Sequence, residues 1–352
     1  MSRGLDFNFH NLIGVHVESQ DPKMNDFYLQ EFRNAVGRME LLTSEVRLRW
    51  DRRATFERIP AGYQFHTHKM LARWAYRISF NQGCVEIHAM GNEVAIPMVH
   101  HMLVHPAMRY LSSFSDVLML HGSAVVKNGR SLIFTGKGGT GKTTTSSLLL
   151  QYGGPEWRLH ADDYLFLGPK FQTMGYLTRS HLYLDILRWI PELKKVLTPW
   201  ERLKLEFFGR LRSLSGDGLK WPIRLSIDRL WPNHNWAATA ELSAVLLLRR
   251  AGIEEASLTP IEFDGEFIEE ILEMNFTEAR HFCALLERAV ETGLPEDWLL
   301  DWRRREKRLL QENLSSVPIY CLNLPLTSDV DQIGLELVDH LTQLLERGDE
   351  SS

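Results

Sequence analysis

Short runs that alternate apolar and polar residues dominate the first 95 residues of the chain. Leu12 to Val17, Ser44 to Trp50, Trp74 to Phe80 and Cys84 to His88 each read as a half-buried strand, with Asn81-Gln82-Gly83 as the turn between the last two. The pattern predicts a small antiparallel region. From Val94 to Phe114 the period lengthens, because Met98, Met102, Leu103, Met108 and Leu111 fall at helical spacing, and a connecting helix is expected there. Near Asp116 the pattern changes again. Val117 to Leu120, Ser123 to Lys127 and Arg130 to Thr135 are apolar strands, and Asn128-Gly129 supplies a type I′ turn between the last two. A glycine-rich loop and a helix follow at once, and Gly153-Gly154-Pro155 ends that helix. A strand pair is expected around 158 to 167, buried strands at Leu242 to Leu248 and Val317 to Leu322, and helices over Phe267 to Thr292 and Asp329 to Leu345. The Gly-Asp-Glu-Ser-Ser tail should fray. No internal repeat or low-complexity tract interrupts this order.

At 352 residues the chain is long enough for about two domains. The pattern divides it into an α+β accessory domain over 1–115, which includes the connecting helix, and an α/β domain over 116–346. The latter has a helical insertion at about 186–224. Apolar residues make up 44% and charged residues 24%, which excludes a disordered chain. Forty basic against 45 acidic residues leave a net charge of −5, so no global basic field exists to grip nucleic acid. The insertion departs from this balance with nine Lys or Arg against four Asp or Glu, and with aromatics among them at Trp189, Trp200, Phe207, Phe208 and Trp221. Its simplest reading is a pair of amphipathic helices that bury the aromatics and solvate the charges, positioned where they could also cover a site. Cys84, Cys283 and Cys321 stand too far apart for a disulfide framework or a paired zinc motif, which points to a reducing cytoplasm. No signal-like or membrane-length apolar run is present, and no membrane partner is expected.

The strongest chemical signal is Gly136-Lys137-Gly138-Gly139-Thr140-Gly141-Lys142-Thr143, followed by Thr144. It satisfies G-x-x-x-x-G-K-[ST], between an apolar strand and a helix. Glycines let backbone N–H groups turn inward around phosphate oxygens, and the helix N-terminus adds partial positive charge. Lys142 would neutralise β- and γ-phosphate, and the Thr143 hydroxyl would hold Mg²⁺. A metal in such a loop needs a carboxylate, and Asp162-Asp163 stands 20 residues beyond Lys142 at the end of Arg158-Leu159-His160-Ala161. One carboxylate can hold the metal while the other takes a proton from an attacking hydroxyl. His121-Gly122 precedes the hairpin that leads into the loop, and Arg179 in Tyr176-Leu177-Thr178-Arg179-Ser180 could meet a phosphoryl group or an acidic acceptor.

The runs Leu120-His121-Gly122, Gly136 to Thr143 and Ala161-Asp162-Asp163 together resemble the C-terminal catalytic domain of the HPr kinase/phosphorylase family, which is related to the phosphoenolpyruvate carboxykinases. The resemblance covers 117 to 168 well and extends loosely to 325. It implies a P-loop kinase core with a mixed sheet and flanking helices, ATP and Mg²⁺ as cofactors, and transfer of the γ-phosphoryl group to a serine of a protein or peptide, or to a small hydroxyl compound. It also implies His121 as an active-site histidine, Lys142 and Thr143 as nucleotide and metal groups, and Asp162 and Asp163 as the metal and base pair, with Asp163 favoured as base. Homo-oligomers are common in that family. The Glu-x-Arg-Gly signature of its bifunctional members is missing after Asp163, and residues 1–95 do not resemble their N-terminal domain. Kinase activity without phosphorolysis, on an acceptor other than HPr, is therefore expected.

Two other readings share the loop. Lys137-Gly138-Gly139-Thr140-Gly141-Lys142-Thr143-Thr144 resembles the deviant P-loop of partitioning ATPases, in which Lys137 would reach a dimer partner's phosphates. Its position deep in the chain and the lack of a later Asp-x-x-Pro-Pro motif weigh against that reading. The third is a nucleotide-binding module without turnover, against which stands the retention of Lys142, Thr143, Asp162 and Asp163.

Overall fold

Asn128 and Gly129 both adopt positive φ, at 53° and 80°, as a type I′ turn requires, and Lys127 pairs with Arg130 across them. This hairpin sits inside the second of two compact units in the computed structural model, which describes residues 4–35, 37, 42, 44–52, 65–69, 71–81, 83–214, 222–232, 236–289, 296–326 and 329–347. Gln82 of the expected turn, Trp221 and the Gly348–Ser352 tail lie outside the described residues. The units are Met1–Met119 with Gly265–Asn313, and Leu120–Asp264 with Leu314–Ser352. Among the described residues no helix is long and apolar enough to cross a membrane.

The first unit carries strands β1 (Leu5–Phe9), β2 (Ile13–Ser19), β3 (Glu45–Asp51), β4 (Phe65–Lys69), β5 (Ala72–Asn81) and β6 (Cys84–Gly91), in the order β1-β2-β3-β6-β5-β4. The sheet is mixed where the alternation predicts an antiparallel one, because β2 runs parallel to β3, and β3 to β6. Helix α1 (Pro22–Glu31), which the strand pattern does not announce, accounts for the first of these parallel pairs. Asp21 caps it by accepting from the Lys23 amide, Pro22 opens it, and its return path lets β3 enter in the direction of β2. The expected connecting helix is present in three segments: α2 (Ile96–Val99), a π-turn over His100–Val104, and α3 (His105–Ser112).

The helices Gly265–Ala289 and Trp298–Leu314 group with this unit, and one side chain explains why. Arg109 on α3 is 2% exposed and Glu306 is 0% exposed. Arg109 Nε donates to Glu306 Oε1 at 2.7 Å, a second bond joins Nη2 to Oε2, and Nη1 donates to the Asn275 carbonyl. The guanidinium also lies 4.5 Å from the Phe276 ring centre and 5.0 Å from that of Trp302. A buried charge pair is costly to half-dismantle. Glu306→Ala is expected to destabilise the protein by about 3–5 kcal/mol in urea unfolding, whereas the double change Arg109→Met with Glu306→Leu should recover most of that loss.

The second unit begins within strand β7 (Leu118–His121) and has strands β8 (Ser123–Lys127), β9 (Arg130–Thr135), β10 (Arg158–Ala161), β11 (Tyr164–Leu167), β12 (Gln172–Gly175), β13 (Ser180–Leu182), β14 (Ile223–Leu225), β15 (Thr239–Ala251), β16 (Ser257–Pro260) and β17 (Ile319–Pro325). Its main sheet is mixed, in the order β10-β8-β9-β15-β12-β11-β7, with β17 also on β15 and β16 on β17. The long β15 pairs with β12 through Thr239–Glu241 and, parallel, with β17 through Val245–Ala251. It also runs parallel to β9, so the carboxyl ends of β9, β15 and β17 lie at one edge. The two strands expected around 158–167 form but do not pair with each other: β10 pairs with β8 and β11 with β12. The chain therefore turns a corner between them, at Asp162-Asp163.

Helix α4 (Lys142–Tyr152) follows the loop after β9 and packs Leu148, Leu149 and Leu150 into the core, with Leu337 and Leu341 of the helix Val330–Arg347. The insertion contributes the short α5 (Ile186–Trp189) and the longer α6 (Pro199–Leu214), followed by α7 (Ile227–Leu230). A reciprocal cap starts α6, since Glu201 Oε2 accepts from the Thr198 amide at 2.8 Å and the Glu201 amide donates to Thr198 Oγ1 at 3.3 Å. The expectation that this insertion buries its aromatics fails for α6, where Trp200, Leu203 and Phe207 are 62%, 56% and 56% exposed. Its apolar residues outnumber one face. Leu205 is buried, and at 100° per residue the other three lie roughly 160–220° around the helix from it.

Candidate nucleotide-binding site

The loop from Gly136 to Gly141 leaves the carboxyl end of β9 and enters α4, and its glycines meet two different demands. Gly136, Gly139 and Gly141 have φ of 149°, 87° and 108°. A Cβ at Gly136 would stand 2.9 Å from Thr140 Oγ1 and 3.0 Å from the Leu248 carbonyl oxygen, so β15 leaves no room for one. At Gly138 and Gly139 the same atom would meet nothing within 4 Å, which leaves that side of the loop open to a ligand. The loop is self-braced, with Thr140 Oγ1 donating to the Lys137 carbonyl at 2.9 Å. Lys142 is buried, and its ammonium lies inside the loop, donating to the Gly136 carbonyl at 2.7 Å. The Lys137 side chain is exposed at the rim, Gly138 and Gly139 are exposed beside it, and Thr143 and Thr144 are half-buried.

Arg250, near the end of β15, holds the loop from outside. Its Nε donates to the Thr140 carbonyl and its Nη1 to the Pro325 carbonyl, each at 3.1 Å, and its guanidinium lies 4.9 Å from the Trp189 ring centre. One side chain thus ties together the loop and the ends of β15 and β17.

The corner after β10 brings the acidic pair to the loop. Asp162 is buried, and the hydroxyls of Thr143 and Ser180 lie close enough to its carboxylate to favour the charged form. Burial, followed by the charge of Asp163, pushes Asp162 up to about 6, and the two hydroxyls and His181 oppose this. Asp163 is 33% exposed and its Oδ2 lies 3.1 Å from His181 Nδ1. The Gly122 amide donates to the Asp163 carbonyl at 3.0 Å, so His121-Gly122 runs beside the acidic pair. The His121 ring itself is buried against Tyr164, 5.1 Å between centres. Arg179 is half-buried and immediately precedes Ser180. A narrow recess leads from Thr143, Asp162 and Ser180 to an apolar wall that includes Ile186 and Leu230.

These donors suit the groups the sequence implies. Asp162, Thr143 and Ser180 offer hard oxygens of the kind a magnesium ion takes, around a carboxylate whose burial favours a nearby cation. The open glycines and the α4 N-terminus suit phosphate. The loop, the acidic pair and Gly122 come together in one region, beside Ser180, His181 and Arg250, which the motifs do not contain. The polar run Arg179-Ser180-His181 between Leu177 and Leu182, and the arginines that end the apolar run Leu246-Leu247-Leu248, were the available signals. Ligand groups gather at the carboxyl ends of parallel strands.

Fold and site together define a mixed α/β unit with a glycine-rich strand-to-helix loop facing a buried carboxylate. No protein-family model and no curated protein matches the sequence. Among solved structures, the HPr(Ser) kinase/phosphatase from Coxiella burnetii aligns with 66% of this chain and 94% of its own, at 11% identity and a TM-score of 0.29. At that score the similarity carries no weight for function or for residue roles.

Because the folded protein raises Asp162 above its ordinary value of 3.8, the carboxylate destabilises the fold above about pH 6, progressively less as pH falls, and not at all below about pH 4. Without divalent cations, Asp162→Asn should therefore melt at a higher temperature than wild type at pH 8, with the gap closing towards pH 4. Identical melting curves at pH 8 would contradict this assignment.

Proposed function

We propose that the protein is an ATP- and Mg²⁺-dependent kinase that transfers the γ-phosphoryl group to a hydroxyl acceptor, foremost a serine of a protein or peptide. The observation that carries this reading is the pair of carboxylates in unlike surroundings at the mouth of the loop: Asp162 buried beside Thr143, Asp163 half-buried and paired with His181. Unlike environments divide the labour between metal binding and proton transfer.

In this reading the loop amides and Lys142 would hold the β- and γ-phosphates, and Thr143 and Asp162 would hold the metal. Bound Mg²⁺ would supply charge neutralisation on the phosphates. Asp163, oriented by His181, takes the proton as the acceptor oxygen bonds to the γ-phosphorus and the bridging oxygen leaves with ADP. His121 and Gly122 fix the corner that carries Asp163, and Arg179, immediately before Ser180, is the residue this reading assigns to the acceptor. Arg250 keeps the loop in its phosphate-ready shape, a positioning role.

The test is incubation with γ-labelled ATP, Mg²⁺ and a cell lysate. Label should appear on an acceptor, and Asp163→Asn should lower transfer by about 10²–10⁴-fold with nucleotide binding nearly unchanged. Release of free phosphate alone, with an ATP-dependent dimer lost in Lys137→Ala, would replace this reading by the switch ATPase. Binding of ATP without turnover would reduce the protein to a nucleotide-binding module.

A further inference from the structure

The first unit holds a cluster that the nucleotide site does not use. His100, His101 and His105 present ring nitrogens that all lie within 4.8 Å of one another, a grouping found nowhere else among the described residues. We propose that these three imidazoles bind one divalent first-row transition metal, zinc in the first instance.

The backbone explains how they meet. On an α-helix residues five apart point roughly 140° away from each other. Here the segment His100–Val104 is a π-turn, in which the His105 amide donates to the His100 carbonyl. Pro106 supplies a local cause: it has no N–H to offer the Met102 carbonyl and its ring would crowd that oxygen. The wider turn stacks His105 over His100, 4.9 Å between ring centres, and brings His101 to 5.3 Å from His100 and 5.9 Å from His105. Single π-turns inside helices are rare and concentrate at functional sites.

The surroundings suit a nitrogen-ligated metal. His100 and His105 are 1% and 6% exposed, while His101 is half-buried and leaves one side of the cluster accessible. The rings of Phe27, Tyr28 and Phe32 pack on His100 at 5.5, 5.5 and 5.3 Å, an apolar wall that fixes the imidazole and shields the bonds it would make. Three nitrogens on one tetrahedral zinc, each at ~2.0–2.1 Å, stand ~3.4 Å apart, which modest side-chain rotations would reach from the present separations. The donor set has no thiolate or carboxylate. Imidazole ligands suit zinc, copper, nickel and iron, and a three-histidine set leaves a fourth position for water or another ligand.

The experiment uses the 352-residue chain without an affinity tag, stripped of metal and kept in excess Mg²⁺ to occupy oxygen sites. Co²⁺ is titrated while visible absorption is followed, and Zn²⁺ is added by calorimetry. One equivalent of Co²⁺ should develop the intense absorption of a tetrahedral site and be displaced by Zn²⁺. His101→Ala and His105→Gln should each weaken binding at least about tenfold. His101→Ala, the less buried change, should keep the wild-type circular dichroism and metal-free melting temperature, so it decides the matter even where His105→Gln does not fold. No saturable binding, or equal affinity in wild type and His101→Ala, would overturn the proposal and leave the histidines as aromatic packing.

Discussion

A carboxylate held in the interior is the constraint around which the second unit is arranged. Asp162 is drawn out of water at the end of β10 and lies next to a second acid, so its surroundings have to compensate its charge. Two hydroxyls do part of this, and they come from different places. Thr143 stands in the first turn of α4, just after the glycine loop, and Ser180 begins β13. Satisfying one buried group thus fixes the corner after β10, the start of the helix and the strand after Arg179. The compensation is incomplete, as the upward shift of Asp162 records, and a site built this way favours a cation.

The loop opposite is held with comparable economy. Gly136 lets β15 approach to backbone contact, and Arg250 spans from Thr140 to Pro325. Because β9, β15 and β17 run parallel, their carboxyl ends deliver the loop, the arginine and the proline carbonyl to one edge. The first unit shows the same logic without chemistry: Arg109 and Glu306 remove each other's charge from water and in doing so join α3 to helices nearly two hundred residues later.

What the sequence makes legible is what is encoded locally. Asn128-Gly129 dictates its own turn, the glycines of 136–141 dictate theirs, and the adjacency of Asp162 and Asp163 is visible in the chain itself. Direction and partnership are not local. Alternation cannot show that α1 turns β2 and β3 parallel, or that the strands on either side of the acidic pair choose other partners. His181 and Arg250 gain their roles only when β13 and β15 arrive beside the loop. On α6, helical periodicity offers two apolar faces and cannot say that the one with Leu205 docks while Trp200 and Phe207 face outward. Nor does a run of three histidines and a proline disclose a π-turn.

In the proposed kinase, Asp162 and Thr143 are the oxygen donors that would join a metal to a bound nucleotide. The most direct test is calorimetric binding of a non-hydrolysable ATP analogue, with and without Mg²⁺, to wild type and to Asp162→Asn. Mg²⁺ should tighten binding to wild type by at least about tenfold, equivalent to ~1.4 kcal/mol, and change binding to Asp162→Asn little. An equal effect of Mg²⁺ on the two proteins, or none on wild type, would contradict the account.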